Sequence, residues 1–262
     1  MIGSKDGYAL VTGASSGIGY ELAKLFAEDG KNVVVLARSQ NKLEDLKKEI
    51  EDKYGTMVII LVKDLSDPNS PQEIFAQLEQ EGKKVDVLVN NAGFTVWGKF
   101  SDNDWQKESE MIQVNITALT HLTKLYLPKM LGNRSGKILN VASLVGFAPS
   151  PFCAMYAASK AYVLHYSEAL ANELQGTGVS VTCLCPGPTE TLFYERANIH
   201  NCRGVKMKMM DAATAAKVGY KALEKGKVIS IPGFQNRLMP LVFRILPRGI
   251  TTWMGGKILE PI

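Results

Sequence analysis

The sequence predicts an α/β fold: one doubly wound parallel sheet of about seven strands with helices on both faces. Three observations carry this. Short apolar runs alternate six times in a row with helical patterns, and such alternation implies right-handed crossovers between parallel strands. The run MVIILVKD, residues 57–64, is almost wholly apolar, as a strand covered on both faces should be. The chain has 262 residues, 46% apolar and 21% charged, without a composition break, internal repeat or low-complexity stretch, so residues 1–262 are expected to form a single domain.

The first element, YALVT from Tyr8, reads as a buried strand and runs straight into GASSGIG, Gly13 to Gly19. A helix with Leu22, Leu25 and Phe26 on one face follows and stops at Gly30. Strand, glycine turn and helix together suit a phosphate group, because glycines admit close backbone approach and a helix N-terminus offers unpaired N–H groups. Gly13, Ser15, Ser16, Gly17, Ile18 and Gly19 are therefore candidate nucleotide-binding residues. The spacing is G-x-x-x-G-x-G, which departs from the G-x-G-x-x-G of the common dinucleotide fingerprint.

The second strand, NVVVLA, ends at Arg38, with no Asp or Glu between Asn32 and Asn41. An acidic residue at that place binds a ribose 2′-hydroxyl, whereas an arginine accommodates a 2′-phosphate. Arg38, with Lys42 one helical turn on, points to NADP(H) over NAD(H). Asp64 and Leu65 end the third strand, where ligands of open α/β sheets bind; Asp64 suits an adenine amino group or a helix N-cap. The fourth strand delivers Asn91, Ala92 and Gly93, small residues that let the chain pass close to a cofactor. A long helical pattern from Asp104 to Met130 holds Asn115, a poor helix-interior residue that either bends the helix or serves the site.

The fifth strand, KILNVA, delivers Ser143, and a helix from Ala154 to about Leu174 follows. It carries Tyr156 and Lys160, one turn apart on one face. A phenol with a pKa of about 10 is a poor acid or base near neutrality, and a fixed cation beside it draws that value down. Tyr156 becomes a candidate general acid and base, with the Ser143 hydroxyl holding the same substrate oxygen. The sixth strand, GVSVTCLCP, leads to Pro186, Gly187 and Thr189 and carries Cys183 and Cys185 as packed thiols. Residues 190–215 have no clean period beside the site and are expected to form a substrate lid. A helix and the short strand VISIP follow, and residues 234–262 are expected to form an irregular tail.

Net charge is +4, which implies no nucleic-acid partner. The charge is uneven: residues 196–262 hold twelve Lys and Arg against three Asp and Glu. The tail could cover the substrate pocket, meet another subunit or lie on an anionic membrane, but Pro240 and Pro247 are expected to break a long membrane-surface helix. Four scattered cysteines and three scattered histidines fit no zinc spacing and no disulfide framework, which favours reduced thiols, no structural metal and a cytoplasmic protein. The polar start, MIGSKDG, leaves no room for a signal peptide.

TGASSGIG at Thr12, NNAG at Asn90, Asn115, Ser143, YAASK at Tyr156 and PGPT at Pro186, in that order, resemble the motifs of the short-chain dehydrogenase/reductase family over Tyr8 to about Thr191. The resemblance implies a Rossmann-type fold and NAD(P) held by the glycine turn and NNAG. It makes Tyr156 the proton donor and acceptor, with Lys160 on the nicotinamide ribose, Ser143 orienting the carbonyl and Asn115 helping to hold a relay water. It also implies a homodimer or homotetramer, built through the outer faces of the Asn115 and Tyr156 helices. The expected reaction moves hydride between NADP(H) and a ketone or secondary alcohol. Val145, Phe152 and Phe193, within a wider apolar set of Phe94, Val96, Trp97 and Phe147, suggest a lipophilic substrate. Two other readings are a 3-oxoacyl thioester reductase and, from a different class, a non-catalytic NADP(H)-sensing protein.

Overall fold

The computed structural model describes residues 7–193, 199, 202 and 209–260. Strands β1 (Tyr8–Thr12), β2 (Asn32–Ala37), β3 (Val58–Val62), β4 (Val85–Asn90), β5 (Gly136–Val141), β6 (Val179–Leu184) and the short β9 (Ile229–Ser230) form one parallel sheet in the order β3-β2-β1-β4-β5-β6-β9. The chain runs outward in one direction from β1 and returns to start again at β4. The ends of β1 and β4 are therefore neighbours at a crevice, where open sheets of this kind hold their ligands.

Alternation along the strands divides the core. Ala9 and Val11 face helices α1 (Gly17–Glu28) and α2 (Gln40–Tyr54), together with α7 (Ala212–Glu224). Tyr8 and Leu10 face α3 (Ser70–Gln80) and the long helical stretch from Trp105 to Gly132. That stretch comprises α4 (Trp105–Ile112), a π-helical turn over Gln113–Ala118, and α5 (Leu119–Gly132). The irregular turn falls on Asn115. Helix α6 (Ala154–Glu173) packs beside it, with Val163, Leu164, Ser167 and Leu170 buried. Ala157 also turns into the core, while Ala154 and Ala158 are exposed on the outer face of this helix.

Two expectations need correction. The apolar run of β3 is an edge strand, with Val62 45% exposed; apolar composition by itself does not separate a covered strand from an edge. Residues 234–259 are two helices, not an irregular tail: α8 (Phe234–Ile245) and α9 (Arg248–Leu259). Pro240 removes one ladder hydrogen bond inside α8, and Pro247 stands at the N-cap of α9, where a missing N–H costs nothing. Short parallel strands β7 (Thr189–Glu190) and β8 (Met210–Asp211) tie together the two ends of the segment expected to form a lid. Within it Ile199 and Cys202 are buried, and residues 194–198, 200–201 and 203–208 lie outside the described residues.

Candidate active site

The glycine turn is built against β4. Gly13 and Gly17 take φ of 67° and 61°, the left-handed region that favours glycine. A Cβ on Gly19 would stand 2.3 Å from Asn91 Nδ2 and 2.6 Å from the Gly13 carbonyl. Asn91 braces the turn by donating from Nδ2 to the Thr12 carbonyl at 2.8 Å, while the Thr12 hydroxyl accepts from Asn91 N and Ala92 N at 2.9 and 3.0 Å. Ser16 is the N-cap of α1, but its side chain does not cap the helix, so the first N–H groups are left for a ligand. Ile18 is buried beneath this turn.

At the far end of the crevice Arg38 Nη1 lies 3.5 Å from Asp64 Oδ2, both side chains substantially exposed. Burial raises the Asp64 carboxyl, but the Ser66 N–H and the Arg38 guanidinium outweigh it and hold the group below the usual carboxylate range. Asp64 caps a turn through Ser66 N at 3.0 Å, whereas Asn69 stands at the N-cap of α3. Leu65 packs into the core, which leaves its backbone for any role toward a ligand.

Lys160 is buried to 4% exposure. Its ammonium donates to the Val141 carbonyl at 2.8 Å and lies 5.7 Å from the centre of the Tyr156 ring. Burial pushes the ammonium down to about 8, with Cys183 and Cys185 opposing the shift weakly. Gly93 passes so close that a Cβ there would stand 3.0 Å from Asn115 Oδ1 and 3.3 Å from Lys160 Nζ.

Asn115 resolves into a clamp. Its Nδ2 donates to the Phe94 carbonyl at 3.0 Å and to Ser159 Oγ at 3.1 Å, and its Oδ1 accepts from Phe94 N at 3.2 Å. One side chain thus ties the loop after β4 to the π turn and to α6.

Ser143 caps a 3-10 turn, Leu144–Phe147, and its hydroxyl makes only long contacts, 3.4 Å to the Pro186 carbonyl and 3.4 Å from Val145 N. The turn lies on α6 beside Lys160, since a Cβ on Gly146 would meet the Lys160 carbonyl at 2.7 Å. Phe193 stacks at a tilt on Tyr156 with ring centres 5.3 Å apart. Val145 and Phe152 are half-buried nearby in the chain, Phe152 with a φ of 65° and its carbonyl accepting from Gly98 N. Phe94 and Phe147 pack on core clusters instead, and Trp97 donates from Nε1 to the Leu259 carbonyl at 2.8 Å, so these belong to packing.

The Pro186-Gly187 loop is held by Leu144 N donating to the Pro186 carbonyl, and the Thr189 hydroxyl turns back to the Gly187 carbonyl. The residue the sequence reading missed is Thr191. Its methyl would stand 2.8 Å from a Cβ on Gly17, so the loop after β6 closes on the glycine turn. Its signal was present as a second threonine two positions after Thr189.

An open helix N-terminus at a braced glycine turn, joined to a Tyr-x-x-x-Lys pair at the neighbouring strand ends, defines a nicotinamide-nucleotide oxidoreductase of the doubly wound class. The short chain dehydrogenase family model matches residues 7–201. The chain is 36% identical over 190 residues to a 3-oxoacyl-[acyl-carrier-protein] reductase of Thermotoga maritima, covering 71% of this chain and 76% of that one. Among solved structures it resembles a short-chain dehydrogenase from Sphingobium yanoikuyae in complex with NADPH, at 30% identity and TM-score 0.83 over 93% of this chain and 94% of the other. It also resembles a 7beta-hydroxysteroid dehydrogenase, at 27% identity and TM-score 0.86 over 95% and 96% of the two chains. Some fungal relatives are longer, and the match spans 54% to 60% of their length. The chain belongs to the short-chain dehydrogenase/reductase family.

Proposed function

We propose that the protein is an NADP(H)-dependent carbonyl reductase for a lipophilic ketone, acting reversibly on the matching secondary alcohol. The observation that carries this reading is the Lys160 ammonium, buried and fixed by the Val141 carbonyl beside the Tyr156 ring. The cation favours partial phenolate character, so Tyr156 can give a proton to a carbonyl oxygen and take one back from an alcohol. Ser143, whose hydroxyl is only loosely engaged, donates to the same oxygen and fixes its direction. The uncapped α1 N-terminus would hold the pyrophosphate, Arg38 the 2′-phosphate and Lys160 the nicotinamide ribose. Bound NADP(H) supplies the hydride. The NADPH complex of the Sphingobium relative supports the choice of cofactor, and Phe193 over Tyr156 supports an apolar substrate, as does the likeness to a hydroxysteroid enzyme.

A second reading is a 3-oxoacyl thioester reductase, favoured by the name of the Thermotoga relative and by a basic C-terminal quarter able to receive a phosphorylated carrier. The test is fluorescence titration with NADPH and NADH on wild type and Arg38→Ala, followed by a panel of hydrophobic ketones and acetoacetyl thioesters. Arg38→Ala is expected to weaken NADPH roughly tenfold or more and to leave NADH nearly unchanged, the weight of one charge-assisted contact. Equal NADH and NADPH affinity in wild type would overturn the cofactor reading. Thioester turnover far above ketone turnover would select the second reading. Cofactor binding without turnover on either class would favour a sensing protein.

A further inference from the structure

Helix α8 is amphipathic with its apolar stripe facing outward. Phe234, Leu238, Leu241, Val242 and Ile245 recur at i, i+4, i+7, i+8 and i+11, which places them on one side of the helix. All five are exposed, Phe234 at 76% and Ile245 at 81%. The residues on the opposite side, Asn236, Met239, Pro240 and Phe243, are half-buried, and no residue of α8 is fully buried. Helix α9, which follows α8 in the chain, exposes apolar side chains of its own. Thr251 is buried and Gly255 approaches the Pro149 carbonyl, while Trp253, at 64% exposure, and Ile250 point away. Among the described residues, eight of the fifteen exposed large apolar side chains lie on these two helices, and the five of α8 share one side of it.

Charge says what would cover the patch. From Lys225 to Leu259 there are six Lys and Arg and no Asp or Glu. Arg237 and Arg244, seven residues apart, run along one edge of the stripe, and Arg248 opens α9; all three are exposed. We propose that the α8–α9 face docks on an anionic lipid bilayer, the helices lying in the interface with the stripe among the acyl chains and the arginines on headgroup phosphates. A second copy of the chain is a poorer occupant, because residues 225–259 of each copy would bring only Lys and Arg as charged groups to the contact, and Glu260, which ends α9, is already paired with Lys257 at 2.9 Å. Spanning is ruled out for these helices, since no helix among the described residues is long and apolar enough to cross a membrane.

The face borders the candidate site. A Cβ on Gly187 would stand 2.7 Å from Asn236 of α8, and α9 packs on Pro149 and Pro151, in the loop that follows the Ser143 turn. Docking rests on no assignment of the reaction, so its failure and the failure of the reductase reading are separable.

The test is co-sedimentation of the full chain with vesicles of phosphatidylcholine alone and of phosphatidylcholine with phosphatidylglycerol, at low and raised salt. Binding is expected to the phosphatidylglycerol vesicles, to weaken with salt, and to be accompanied by a blue shift of emission that Trp253→Phe removes. Leu241→Glu and Ile245→Glu are each expected to weaken binding about tenfold or more, the cost of one such side chain leaving hydrocarbon, with unchanged NADPH titration and thermal melting as the control for folding. Absence of binding to phosphatidylglycerol vesicles, or binding that both glutamate variants leave intact, would overturn the proposal. A change of oligomeric size in Leu241→Glu with vesicle binding intact would give the face to a second copy instead.

Discussion

Lys160 does two things with one ammonium: it fixes the start of the Ser143 loop through the Val141 carbonyl, and it places positive charge beside Tyr156. Burial opposes that charge and lowers the ammonium from 10.5 to about 8. Between those values the unfolded chain keeps the proton and the native chain sheds it. The native state therefore gains stability from this group as pH rises through the window, and gains nothing further above it or below it. In urea melts, the stability of wild type relative to Lys160→Met is expected to rise by roughly 3 kcal/mol from below pH 8 to above pH 10.5. A difference that does not vary with pH would contradict a buried, depressed ammonium. The residue types and spacing of Tyr156 and Lys160 were legible in the sequence because one helical turn fixes their relation. The use of Asn115 was not. An asparagine in a helix announces an unmet hydrogen-bonding need, but only the folded chain shows Phe94 and Ser159 as the partners.

At the scale of elements, the glycine turn is a fitted part. The Gly13 carbonyl is backbone and cannot move aside for a Cβ on Gly19. Gly19→Ala is expected to weaken NADPH binding by well over tenfold, read by fluorescence titration, while the circular dichroism spectrum stays that of an α/β protein. Binding within twofold of wild type would show that the turn is not the phosphate site. The strands and helices that build this crevice were legible because each has a clean period and a stop signal, Gly30 after α1 and Gly55 after α2 among them. The C-terminal helices were hidden by their prolines. Pro240 costs α8 one hydrogen bond, and the half-buried side of the helix, with Asn236 against Gly187 and Met239 and Phe243 beside it, is set by tertiary packing that no local pattern reveals.

At the scale of the whole molecule, a buried ion pair joins the entry of β2 to β4: Lys31 Nζ lies 2.6 Å from Asp86 Oδ1, with both side chains almost wholly buried. Lys31→Met removes the ammonium and leaves the carboxylate in the interior, which is expected to cost roughly 3–5 kcal/mol in denaturant unfolding. A loss below about 1 kcal/mol would mean that water or another group takes over the carboxylate. The pair was invisible in the sequence, because two ordinary charged residues stand fifty-five positions apart. The sheet order was legible in outline, since six crossovers of one hand leave few arrangements, and the crevice at the β1 and β4 ends follows from it. The most direct test of a reductase centred on that crevice is Tyr156→Phe, assayed for NADPH-dependent reduction of whichever ketone wild type accepts, with NADPH affinity measured on the same sample. The expected result is turnover lowered about 100-fold or more with affinity within a few-fold of wild type, because one hydroxyl has been removed from the reacting centre. Turnover near that of wild type would contradict the account.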